Sequence, residues 1–134
     1  MLIMKKEAVL SEIEKANAYL AKCLWMDFEF CRLDGFKVFM AGRIDQSYNE
    51  CAINIYFEQP HFILSLLFWQ SDSNKPFIQL CTDEETAEMS VRYRVEEGNY
   101  IFKINAEGFE NPPIFIGAKN IACEIINTEP FSQN

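Results

Sequence analysis

Over the first two dozen residues the apolar positions fall at helical spacing. Val9, Ile13, Ala16, Leu20 and Cys23 or Leu24 recur at steps of four and three and line one face, while Lys5, Glu12, Lys15, Asn17 and Lys22 fall mostly on the other. Ser11 and Glu14 stand at the spacing of a capping box. The pattern predicts one helix over residues 5–24. After Trp25 the period drops from about 3.6 residues to 2, the signature of strands. Residues 27–33 alternate, Asp34-Gly35 signals a hairpin, and residues 36–44 return from it. Cys51, Ile53, Ile55 and Phe57 then point one way, with Ala52, Asn54, Tyr56 and Glu58 opposite. Gln59-Pro60 interrupts, because proline cannot donate to a ladder.

Residues 61–69 are apolar on both faces, as expected of a central strand beneath the helix. Residues 71–76 read as a turn, 77–82 as a strand, and 83–87 as a charged turn or a single helical turn. Met89, Val91, Tyr93 and Val95 alternate with Ser90, Arg92, Arg94 and Glu96. Glu97-Gly98-Asn99 turns them back into Tyr100, Phe102 and Ile104, which predicts a hairpin. Asn111-Pro112-Pro113 is a loop, and residues 114–116 and 121–126 finish the sheet. The fold expected is α+β, a single domain over residues 1–134: one N-terminal helix packed on a curved, mostly antiparallel meander of about eight strands.

Composition sharpens this outline. A chain of 134 residues, 49% hydrophobic and with twelve Phe, supports a core without covalent staples. The five cysteines (Cys23, Cys31, Cys51, Cys81 and Cys123) form no C-x-x-C pair and sit among apolar residues, so they read as reduced core thiols. The N-terminus has no apolar run of about 7–15 residues that would make a signal peptide. The longest apolar stretch, residues 62–69, is too short for a helix to cross a bilayer. A cytoplasmic protein is expected.

The net charge of −8 is unevenly placed. Residues 1–24 carry four Lys against three Glu, so the remaining eight basic and seventeen acidic side chains leave −9 on residues 25–134. Such a surface repels phosphate backbones and anionic lipid and attracts basic protein. The densest acidic run is Asp83, Glu84, Glu85 and Glu88, followed by Glu96 and Glu97. It lacks the glycine and spacing of an EF-hand loop. Together with Tyr48, an aromatic in a polar loop, these six acids are the candidate protein-binding residues.

The chain has no G-x-G-x-x-G, G-x-x-x-x-G-K, G-x-S-x-G or H-E-x-x-H, and no catalytic residue, cofactor or metal ligand is assigned. His61 is its one histidine and reads as an edge or turn residue; Ser65, four positions on, stands roughly 13 Å away along a strand. Asp27 and Glu29 share a strand face roughly 7 Å apart, a spacing that carboxylate pairs use in glycoside hydrolysis and that solvent-facing strands also show. Arg92 and Arg94 share a face that pairs with acids or holds an anion. Trp25 and Trp69 read as core packing. A concave sheet lined by Phe57, Phe68, Phe102 and Phe115 would suit a small ligand.

In build, and over the stretches Tyr93-Arg-Val-Glu-Glu-Gly-Asn-Tyr-Ile-Phe-Lys-Ile-Asn105 and Ile121-Ala-Cys-Glu-Ile-Ile126, the chain resembles the immunity proteins that protect bacteria from toxins of their own polymorphic or contact-dependent systems. The resemblance implies a non-enzymatic inhibitor that occludes a basic toxin domain with acidic and aromatic side chains. A small-ligand binder and an enzyme built around His61 or the Asp27 and Glu29 pair are the alternatives.

Overall fold

The computed structural model describes residues 4–45, 47 and 49–128. The element order is α1 (Lys6–Ala21), β1 (Asp27–Asp34), β2 (Lys37–Arg43), β3 (Ile53–Glu58), β4 (Phe62–Leu64), β5 (Phe68–Gln70), β6 (Ile78–Leu80), α2 (Asp83–Tyr93), β7 (Tyr100–Ile104), β8 (Ile114–Ala118) and β9 (Asn120–Ile125). The fold is α+β, as expected, but the strands divide into two antiparallel sheets and a second helix is present. The five-stranded sheet runs β5-β1-β2-β3-β9 and the four-stranded sheet β4-β8-β7-β6.

The period-2 segments produce the central meander. β1 pairs β2 with Asp34 opposite Lys37, so the two-residue loop is Gly35-Phe36, one position later than the sequence suggested. Gly35 opens that loop at φ +60°, which a side chain resists. In β3 the residues Ile53, Ile55 and Phe57 are buried, as their alternation predicts.

Three expectations fail, each for a local reason. The central strand over residues 61–69 is two short strands on different sheets, broken at 65–67, and each lies at a sheet edge. A near-continuous strand over residues 114–125 changes sheet at Lys119, and this crossing splits the single meander in two. Residues 89–93 are helical, not a hairpin strand. There the Thr82 hydroxyl accepts from the Glu85 N–H at 3.1 Å and Glu85 accepts from the Thr82 N–H at 2.8 Å. This capping box nucleates α2, and the acids Asp83, Glu84 and Glu85 favour its N-terminal dipole.

The main core lies between the sheets. Phe28, Met40, Ile53, Ile55 and Phe57 from one meet Ile78, Phe102, Ile104, Ile114 and Ile116 from the other. α1 contributes Val9, Ile13, Ala16 and Leu20. Its polar residues, which the spacing assigned to the solvent face, also have structural partners. Glu12 accepts from the Cys123 N–H at 2.8 Å and Lys15 donates to the Cys123 carbonyl at 3.0 Å. Asn17 donates to the Ile78 carbonyl at 2.9 Å and accepts from the Ile78 N–H at 3.0 Å. β9 and β6 are edge strands, so α1 seals one edge of each sheet with side chains.

All five thiols are unpaired. Burial pushes Cys23, Cys81 and Cys123 up to about 11, whereas Cys31 is exposed, against the expectation that every cysteine is a core residue.

Asn17→Ala removes both bonds to Ile78 and leaves an N–H and a carbonyl without partners at a half-buried edge. The expected loss is about 1–3 kcal/mol of unfolding free energy, measured by urea denaturation. An unchanged midpoint would show that the bracket contributes nothing.

Candidate protein-binding face

α2 rests on the outer side of the four-stranded sheet. Met89 is its buried anchor and packs with Val95 and Ile101, flanked by Phe62, Cys81 and Phe115. Phe62 lies across Gly117, where a Cβ would come within 2.7 Å of its ring. It also stacks on Tyr93 with centroids 5.4 Å apart. The helix ends at Arg94, in the left-handed conformation at φ 54°, and the Arg94 carbonyl meets His61 Nε2 at 3.2 Å. Both ends of α2 are therefore fixed to the sheet.

With one face anchored, helical spacing determines which acids face outward. Asp83, Glu84 and Glu88 are exposed, together with Ala87 and Val91. Glu84, Glu88 and Val91 follow at steps of four and three, so they form one stripe. Val91 is 83% exposed, an apolar side chain set among carboxylates.

Glu85 points the other way. It receives two hydrogen bonds from Lys103 Nζ, at 2.8 and 3.0 Å. The Lys103 hydrogen bond, then the Thr82 backbone N–H, hold its carboxyl below the ordinary value of 4.5. Glu96 and Glu97 are exposed but lie past the C-terminal end of α2, whose eleven residues span about 16 Å. Glu96 stands 3.7 Å from His61 Nδ1. The six acids thus divide into three exposed on α2 (Asp83, Glu84 and Glu88), one held in an ion pair with Lys103 (Glu85) and a distal pair (Glu96 and Glu97). Tyr48 lies outside the described residues. Val91 was missed because its alternation with Met89 and Tyr93 read as a strand. The Thr82-x-x-Glu85 signature would have found it.

The other candidate residues do not converge. Glu29 is ion-paired with Arg43 at 2.6 Å, and Asp27 accepts from Gln70 Nε2 at 3.2 Å. The Ser65 hydroxyl donates to the Leu66 carbonyl, not to His61. Arg92 and Arg94 share no strand face, since Arg92 is on α2 and Arg94 caps it. Trp69 is buried against Phe28 and Phe30, whereas Trp25 is 41% exposed and not a core residue.

The four phenylalanines line no common cavity. Phe57 and Phe102 pack ring to ring at 5.1 Å in the filled core, and Phe68 is on the surface. A cleft of about 590 Å³ lies elsewhere, between α1 and the segment Ser71–Phe77. Among the described residues no group of three or more His, Cys, Asp or Glu is placed to hold a metal ion.

No protein-family model, curated protein or solved structure matches the chain.

The Glu85–Lys103 pair has a defined pH signature. A carboxyl depressed in the folded state contributes stability above about 4.5, and that contribution is lost as pH falls through the lowered value. Glu85→Gln keeps a capping side chain and removes the charge. At neutral pH it is expected to be less stable by up to about 1 kcal/mol, discounted because the carboxylate is part exposed. The gap should close on acidification, as read by thermal melts at a series of pH values. A pH-independent gap would mean that the charge plays no part.

Proposed function

We propose that this chain is a non-enzymatic protein-binding module of the immunity or inhibitor kind, which neutralises a basic protein partner through the outward face of α2. The observation that carries this reading is the exposed Val91 in one row with Glu84 and Glu88, on a helix whose opposite face and both ends are already committed. An apolar contact ringed by charges is the usual composition of a binding patch: its centre loses water on docking, while the surrounding carboxylates steer a cationic partner in. The excess of negative charge over residues 25–134 reinforces that steering. The resemblance to immunity proteins agrees with a toxin domain as that partner.

The test uses the whole chain as bait for the lysate and secreted fraction of its source cell, at low and at high salt. A single basic protein retained stoichiometrically at low salt is expected. Glu84→Lys with Glu88→Lys should slow its association by roughly ten- to hundredfold, because both residues are exposed; the lysine at the N-terminal dipole costs the helix only about 0.3–1 kcal/mol. Glu85→Gln should leave retention unchanged, since that carboxylate is already taken by Lys103. The reading fails if no basic protein is retained, or if the double reversal leaves retention as it was.

A further inference from the structure

The cleft of about 590 Å³ between α1 and residues 71–77 has two fixed walls. On the helix side, Asn17 bonds both backbone groups of Ile78 and so holds α1 to the strand that follows the loop. On the loop side, the Ser71 hydroxyl accepts from the Met26 N–H at 2.9 Å, and Asn105 Nδ2 donates to the Pro76 carbonyl at 2.7 Å. Lys75 Nζ donates to the Phe109 and Glu110 carbonyls at 2.8 and 3.1 Å. Met26, Asn105, Phe109 and Glu110 do not line the cleft, so the loop is held by groups outside it and the space persists.

Leu10, Glu14, Ala18 and Ala21 follow at steps of four, four and three, so a single row of α1 forms the helix wall. A carboxylate thus stands within an otherwise apolar row. Leu10 is 45% exposed, and the two alanines leave open a space that larger side chains would fill. Pro76 and Phe77 add apolar surface on the facing wall. Of the three charged residues lining the cleft, two are already engaged. Lys75 is on its two carbonyls, and Asp72 accepts from the Asn74 N–H at 2.9 Å. Glu14 is exposed and has no hydrogen-bond or ion-pair partner among the described residues.

We propose that this cleft binds a small organic cation, an ammonium group carried on an apolar body. The ammonium meets Glu14, and the Ser73 hydroxyl and Asn74 amide, both exposed on the rim, are further acceptors. The apolar body lies against Leu10, Ala18 and Pro76. The volume is that of a small-molecule site, which runs from about 300 to 1,000 Å³. Charge selects the sign of the ligand. Two acidic side chains and one basic one line the cleft, the engaged one is the basic one, and the chain as a whole carries −8. An anion would meet an uncompensated carboxylate there. Because Glu14 is exposed, its ion pair contributes modestly and the apolar body supplies most of the affinity.

Titration of the whole chain with phenethylamine, cationic at neutral pH, tests this by amide NMR shifts. Saturable shifts confined to residues 10–21 and 71–77 are expected, with Kd on the order of 1 mM for so small a probe. Hydrocinnamate, a similar body ending in a carboxylate, should give no saturable shift. Glu14→Gln should raise the Kd for the amine about three- to fivefold. Ala18→Phe places a ring in the cleft from an exposed helix position and should abolish the confined shifts. If Ala18→Phe disturbs α1, Ala21→Phe on the same row decides. Absence of saturable amine shifts, equal binding of hydrocinnamate, or a Kd indifferent to Glu14→Gln would each overturn the proposal. The Glu84→Lys, Glu88→Lys chain should bind the amine like the parent, and the Glu14→Gln chain should still retain the basic protein. Failure of the acidic-face reading and failure of this one are therefore separable.

Discussion

The structure depends on hydrogen bonds from one helix to the open edges of two sheets. A sheet edge exposes N–H and C=O groups that cost free energy when they lose water without finding partners. A helix cannot extend a ladder, because its own backbone groups are used internally. Its side chains can. Asn17 carries a donor and an acceptor on one amide and satisfies both groups of Ile78. Glu12 and Lys15, one turn apart, divide the same task at Cys123. These bonds tie α1 to β9 of one sheet and β6 of the other, so the seam between the sheets closes and Val9, Ile13, Ala16 and Leu20 complete the core behind it.

The second helix follows from the first arrangement. With the main core between the sheets, the four-stranded sheet has a second face to cover, and that face carries Ile101, Phe115 and Phe62. The rings need space, and Gly117 provides it under Phe62. α2 then docks through Met89 and Tyr93 and is oriented at its start by Glu85 on Lys103. Glu88 and Val91 point into solvent, and Glu84, also exposed, acts on the helix only through its N-terminal dipole.

What the sequence made legible was local. The hairpin at residues 34–37 and the inward row Ile53, Ile55, Phe57 depend on neighbours within a few positions, and period-2 reasoning recovers them. The misreading of residues 89–95 is also instructive. Met89, Val91, Tyr93 and Val95 satisfy a strand alternation, but Met89 and Tyr93 are equally an i, i+4 helical pair, and the decision lay upstream in Thr82 and Glu85. Two features had no local signal. The break at residues 65–67 depends on a change of sheet, and the roles of Glu12, Lys15 and Asn17 depend on strands 61 to 111 residues away. Polarity on a helix face looks the same whether it meets water or an edge strand. For the same reason the acidic run was legible as a run, while its division into three exposed acids on α2, one held by Lys103 and a distal pair was not.

The contrast between the four edges carries the argument furthest. Natural sheets protect their edges with charge, proline, bulges or a covering element. This chain uses a covering helix on two edges and places a bulge in β1 between Phe30 and Arg32, beyond the end of β5. On β5 the Glu107 N–H covers the outward carbonyl of Gln70, while Phe68 and the neighbouring Leu67 stay exposed. Selection for solubility alone would place a lysine or glutamate at Leu67 at almost no cost to the core, because that side chain buries so little. Leu67 beside that edge and Val91 on α2, at 88% and 83%, are the most exposed large apolar side chains among the described residues, and neither takes part in the core.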